Sequence, residues 1–191
     1  MSGHGFHVHG PHDHELEHAA QHGGDSMTNQ IAMFTAIIAT VGAIFSYMGG
    51  ATQANAGLYK NNAAIKKTEA SNQWNYFQSK STKQSLAELA RDLAPEDKKA
   101  AYQAKVERYD KEKNEIKVVA DKLEAEAKQW DEQSDEQMHL HHRWAQSTTA
   151  LQVAIALAAI ALLTKKRWLQ YGMFGVAGVG VAIGAAAMLH I

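Results

Sequence analysis

The chain has 191 residues, no cysteine and a net charge of -1. Disulfides, thiolate metal sites and thiol catalysis are excluded, and a near-neutral balance gives no support for nucleic-acid binding. The negative mean hydropathy conceals a segregation, because residues 26–59, 147–164 and 168–189 contain no Asp, Glu, Lys or Arg. Uncharged apolar runs of ~18 residues or more read as transmembrane helices, and a chain this short has too little other protein to bury three of them.

Residues 1–26 form a tail rich in His and Gly. It lacks Lys and Arg, hence the basic region of a signal peptide, so the first apolar run is expected to stay as an anchor. From Pro11 to His22 the pattern suits a short helix, with acids early and Gly23-Gly24 as a stop. Seven histidines and three acids, Asp13, Glu15 and Glu17, fall within the first 22 residues. Imidazole and carboxylate without thiolate suit Zn, Cu or Ni. His14, His18 and His22 share a helix face, while His7 and His9, and His12 and His14, are spaced for chelation from extended chain. A solvated low-complexity tail that takes up metal incidentally is the plainer reading.

The first transmembrane helix is predicted at residues 27–50, with Gly42, Ser46 and Gly50 as a small-residue packing stripe. Residues 51–145 are predicted to form a long antiparallel helical hairpin outside the bilayer, coiled-coil-like, with its turn near Pro95. The first arm is polar, with scattered Leu58, Ile65, Trp74, Tyr76, Phe77, Leu86, Leu89 and Leu93. The second arm carries a heptad series: Tyr102, Tyr109, Ile116, Leu123 and Trp130, continuing through Gln137 and Trp144 to Leu151. Its companion series, Val106, Lys113, Ala120, Ala127, Ser134, His141 and Thr148, is small or polar. Seven such repeats specify one long helix with a partner. Trp74 and Phe77 share a face and Tyr76 points away from it, so these rings serve two surfaces, one toward the other arm and one toward a neighbouring subunit.

Transmembrane helices 2 and 3 are predicted at 146–164 and 168–191. In the third, Gly180 and Gly184, and Gly178, Ala182 and Ala186, offer packing stripes. His139, His141 and His142, beside Arg143 and Trp144, suit a membrane-interface belt better than a metal or headgroup site. Lys165, Lys166 and Arg167 in a tight turn argue for a cytoplasmic turn, hence a cytoplasmic tail and a periplasmic hairpin. Lys60, Lys66 and Lys67 after the first span argue the reverse, but long segments translocate largely regardless of charge.

The stretch Ala70-Ser71-Asn72-Gln73-Trp74-Asn75-Tyr76-Phe77-Gln78-Ser79-Lys80 resembles a motif, Ala-Ser-x-Gln-Trp-x-Tyr-x-Gln-x-Lys, of an uncharacterised bacterial membrane-protein family, a domain of unknown function. A second matching stretch runs from Gln152 through Lys165-Lys166-Arg167-Trp168. The resemblance covers residues from about 50 to 185. Phe77 stands where the family commonly has a second Tyr. The resemblance implies three spans and the bacterial inner membrane, and it brings no activity.

No phosphate-binding loop, Ser–His–Asp arrangement or paired-carboxylate pattern stands out, and no span has an ionisable residue at its centre, as ion-coupled transport would need. The expectation is an all-α, three-span, non-enzymatic membrane scaffold or adaptor. Its partners are the lipid bilayer, further copies of the chain through the hairpin, and a membrane protein. The alternative is a metal-binding membrane protein that uses the tail.

Overall fold

The computed structural model describes residues 26–189; the histidine-rich tail, with His7, His9, His12, His14, His18 and His22, lies outside the described residues. Within them the protein is all-helical, with α1 at Ser26–Leu93, α2 at Glu96–Thr164 and α3 at Arg167–Met188, and no strand. Each helix is long and apolar enough to cross a membrane, by length and composition. At ~1.5 Å per residue, α3 rises about 33 Å, close to the ~30 Å of a bilayer's hydrocarbon core.

Both interhelix breaks have local causes. Pro95 disfavours helix at the residue before it and suits a helix start. α1 accordingly stops at Leu93, α2 opens at Glu96, and the Lys98 amide donates to the Pro95 carbonyl at 2.9 Å. Glu96 and Asp97 occupy the first turn of α2, where the helix dipole favours acids. At the second break Lys165 takes a positive φ of 53°, and its amide donates to the Ala161 carbonyl at 2.8 Å. This is the left-handed residue that commonly closes a helix.

The described residues form two compact units, the first from α1 up to residue 49 together with the chain from residue 142 onward, and the second from residues 50–141. In the first, α1 buries Ile31, Ile38 and Phe45, spaced by seven. α2 buries Trp144, Ser147, Leu151, Ala154, Ala158 and Ala161, and α3 buries Leu169, Met173, Ala177, Gly180, Gly184 and Ala187. Phe34 meets Phe174 edge-on at 4.5 Å, and Phe45 lies 5.1 Å from Trp144. Ser147 Oγ donates to the Gly180 carbonyl at 2.7 Å, tying α2 to α3 inside the core. Gln170 and Gln30 join α3 to α1 at 3.3 Å.

The glycines divide by helix face. Gly180 and Gly184 face inward as expected: a Cβ at Gly184 would lie 2.3 Å from the Phe45 ring, and one at Gly180 would lie 2.9 Å from Leu151. A Cβ at Gly178 would meet nothing within 4 Å, so the Gly178, Ala182, Ala186 stripe is not the buried one. In α1 the expected Gly42, Ser46, Gly50 stripe needs correction. Gly42 does sit against Leu151, where a Cβ would lie 3.7 Å from the leucine side chain, but Ser46 and Gly50 are exposed. Four-residue steps advance ~40° around a helix, whereas seven-residue steps fall back only ~20°. The buried small residue after Gly42 is therefore Gly49.

Replacing Gly184 with Val should lower the stability of this unit by about 1–3 kcal/mol, because the Phe45 ring must move to admit the branch. Gly178→Val should be close to neutral. Thermal unfolding of the two variants in the same detergent checks this, and equal midpoints would mean that the Phe45–Gly184 contact does not set the packing.

Candidate functional site

The second unit is a pair of helical arms, residues 50–93 of α1 and 96–141 of α2. Cross-arm contacts fix their direction. Lys60 pairs with Asp131, Lys66 with Glu126, Trp74 with Glu124, Lys80 with Glu112 and Arg91 with Gln103. The partner number falls as the α1 number rises, so the arms run antiparallel from the turn at Pro95.

The α1 seam is built from small residues. Ala56, Ala63 and Ala70 are buried at seven-residue intervals, and Phe77, Gln84 and Arg91 continue the series half-buried. A second series, Thr52, Tyr59, Lys66, Gln73, Lys80 and Ala87, stays buried or half-buried throughout. From α2, Val106, Ile116, Ala120 and Ser134 are buried against them. Ser134 Oγ donates to the Ala56 carbonyl at 2.9 Å, a contact that a large residue at either position would prevent.

Aromatic and ionic groups close the sides of this narrow seam. Tyr59 lies 5.5 Å from Trp130, and Trp74 meets Phe77 edge-on at 5.5 Å. The Trp74 indole N–H donates to Glu124 at 2.7 Å, and the Lys113 ammonium lies 5.6 Å from the Phe77 ring. Lys80 sits between the Tyr76 and Tyr109 rings, at 5.0 and 5.8 Å, and pairs with Glu112 at 2.6 Å. Trp74 and Phe77 thus face the other arm and Tyr76 is half-exposed, as their angular separation requires. Of the heptad residues, Ile116 is buried, while Tyr102, Tyr109, Leu123 and Trp130 are half-buried.

Charge divides between the arms. α1 supplies the lysines and α2 the carboxylates in the pairs Lys60–Asp131 at 2.5 Å, Lys66–Glu126 at 3.3 Å and Lys80–Glu112. Each lysine is held above its ordinary value by side-chain hydrogen bonds: to the Asp131 carboxylate for Lys60, to Glu69 and then Glu126 for Lys66, and to Glu112 and then the Tyr76 phenol for Lys80. The Lys80 hydrogen bond holds Glu112 below its ordinary value. A groove of about 800 Å³ opens along one side, lined by Lys60, Lys67, Trp74, Gln78, Glu124 and Asp131. It exists because Ala63, Ala70 and Ala127, which also line it, leave room that larger side chains would occupy.

Among the described residues, no three His, Asp or Glu side chains converge as a metal site requires. What the structure brings together is a surface for contact between helices. The sequence reading missed the small-residue α1 seam, and the recurrence of Ala56, Ala63 and Ala70 was the signal for it.

The model of a domain of unknown function, DUF4337, matches residues 27–190. The chain belongs to the DUF4337 family. The match takes in both units and begins after the histidine-rich tail. No curated protein and no solved structure matches the chain.

The Lys80–Glu112 pair sets a pH dependence. A depressed carboxylate stabilises the fold above its ordinary value of 4.5, and that contribution is lost as pH falls through the lower folded value. A raised lysine contributes below 10.5, and that is lost as pH rises through the higher folded value. Glu112→Gln should therefore flatten the acid limb of a thermal-midpoint profile taken between about pH 6 and 3. If variant and parent lose the same number of degrees over that range, the pair does not couple pH to stability.

Proposed function

We propose that this protein is a non-enzymatic, membrane-anchored, homo-oligomeric scaffold or adaptor, in which a coiled-coil-like hairpin outside the bilayer makes the protein contacts. The observation that carries this reading is the division of exposed surface between the two units. In the first unit the outward side chains are Met33, Ile37, Ile44, Val153, Ile160, Leu163 and Val179, all exposed. An exposed apolar face of this extent suits lipid and is unsuited to water. In the second unit the outward residues are mostly Asn, Gln, Ser, Thr and charged side chains, which suit water.

Two further features support it. Residues 27–49, 146–164 and 168–189 contain no Asp, Glu, Lys or Arg, leaving no charged group for ion coupling within the spans. The Lys165, Lys166, Arg167 turn favours a cytoplasmic position, with the tail on the same side and the hairpin in the periplasm of a bacterial inner membrane. Nucleic acid has no part in this reading.

The chain has no native cysteine, so Lys98→Cys places a single thiol beside the turn. It should react with an impermeant thiol reagent in intact cells, and the protein should resist alkaline carbonate extraction and size as an oligomer in detergent. Labelling only after lysis would invert the topology. Release by carbonate, or a monomer on sizing, would sink the scaffold reading itself.

A second reading rests on the seven histidines and three acids of the first 22 residues. In it the tail binds Zn, Cu or Ni through neutral imidazole, so binding fades as pH falls through the ordinary His value of ~6.5. Deleting residues 1–24 should remove the metal from membrane-extracted protein and leave oligomer size unchanged. Equal metal in both proteins would eliminate the tail as the site.

A further inference from the structure

The larger aliphatic residues of the first arm are on its outside. Leu58, Ile65, Leu86 and Leu93 are 56%, 48%, 60% and 78% exposed, while alanines fill the seam against α2. A helix that meets only one partner normally turns its bulkier apolar side chains toward that partner. These four belong to one seven-residue series, completed by Asn72 and Ser79, and every member is exposed. Three residues after each of the first four members come Asn61, Thr68, Asn75 and Thr82, also exposed. Alternating steps of three and four are the spacing of a coiled-coil seam, here with no partner in the monomer.

Neither series contains Asp, Glu, Lys or Arg. Between residues 108 and 136 the equivalent outward positions of α2 include Arg108, Lys111, Glu115, Lys122, Glu132 and Glu136, all exposed, with only Val118, Ala125 and Gln129 uncharged among them. A solvated helix face is ordinarily charged, as the α2 face is. Depletion of charge marks the centre of a protein interface. The two outer faces of the same helix pair thus differ in the property that separates interface from solvent.

Charge also selects the occupant. Copies anchored through the same spans enter a membrane in the same orientation, so their α1 arms run parallel. Symmetric parallel packing sets each residue beside its own copy, and a charged residue there would face its like. The α1 face avoids this at every position of both series. Asn72, in the leading series, sits where a buried Asn pairs with its copy and fixes a parallel register. The α2 face, with Arg108 and Glu115 each facing its like, is unsuited to the same arrangement.

We infer that the outer face of the first arm, centred on Ile65, Asn72 and Ser79, is a self-association surface on which the α1 helices of two copies pack in parallel and in register. This rests on the membrane-scaffold reading and assigns its oligomer contact to α1, leaving the charged outer face of α2 free.

Single cysteines test it in the full chain in native membranes. A disulfide needs Cβ atoms about 4 Å apart, so only residues that meet their own copy will link. Under mild oxidation Ser79→Cys should shift from monomer to twice the monomer mass. Glu115→Cys, at a similar distance from the turn on the outer face of α2, should remain monomeric. Linking at Glu115→Cys and not at Ser79→Cys would overturn the assignment while leaving the oligomer intact. Linking at neither, with an oligomer on detergent sizing, would also overturn it. A monomer on sizing would overturn the scaffold reading as well. Ile65→Lys gives an independent reading, because it sets a like charge against its copy: it should dissociate the oligomer with unchanged helical circular dichroism, and an unchanged oligomer would count against the surface.

Discussion

Helices that meet through alanine and glycine approach more closely than helices that meet through leucine, and much of this protein follows from that approach. In the arm pair, Ala56, Ala63, Ala70 and Ala120 are buried with almost no side-chain bulk between backbones. Ser134 can then reach the Ala56 carbonyl directly. In the first unit the same principle lets Ser147 reach the Gly180 carbonyl and lets Phe45 lie over Gly184. Small residues remove a volume that would otherwise hold helices apart, which is how helices associate where lipid offers no hydrophobic driving force.

A small-residue seam buries little apolar area, so the arm pair needs other contributions. Tyr59 against Trp130, and Trp74 against Phe77 and Glu124, add aromatic area at its sides. Lysines of α1 against carboxylates of α2 add pairing that favours the antiparallel register over slipped ones, since a slip would separate Lys60 from Asp131 and Lys80 from Glu112 together. Exposed ion pairs contribute little stability each, and their main effect here is on register. The aromatic groups and ion pairs explain why a segment that looks polar in sequence forms a continuous helix beside its partner.

That arrangement also frees the outer surfaces. With alanines inside, Leu58, Ile65 and Leu86 are available outside. The two arms then present unlike faces, one uncharged and one bearing charges of both signs at most of its positions. Among the described residues no three His, Asp or Glu side chains converge as a metal site requires.

Much of the architecture was legible in the residues alone. Uncharged apolar runs marked where each long apolar segment lies, because length and charge decide that without reference to neighbours. Pro95 marked the turn, and the Tyr102-to-Leu151 heptads marked α2 as one helix, since both signals are local to the backbone. Two things were not legible. Which glycines are buried depends on the seven-residue count that a partner helix imposes, so Gly49 and not Gly50 follows Gly42 into the interior. Which face of the first arm meets α2 also required the partner. Taken alone, Leu58 and Ile65 look like core and Ala63 and Ala70 look like filler. Only the tertiary structure reversed this, because the neighbouring helix accepts the alanines, flanked by aromatic rings, and leaves the large aliphatic residues outside.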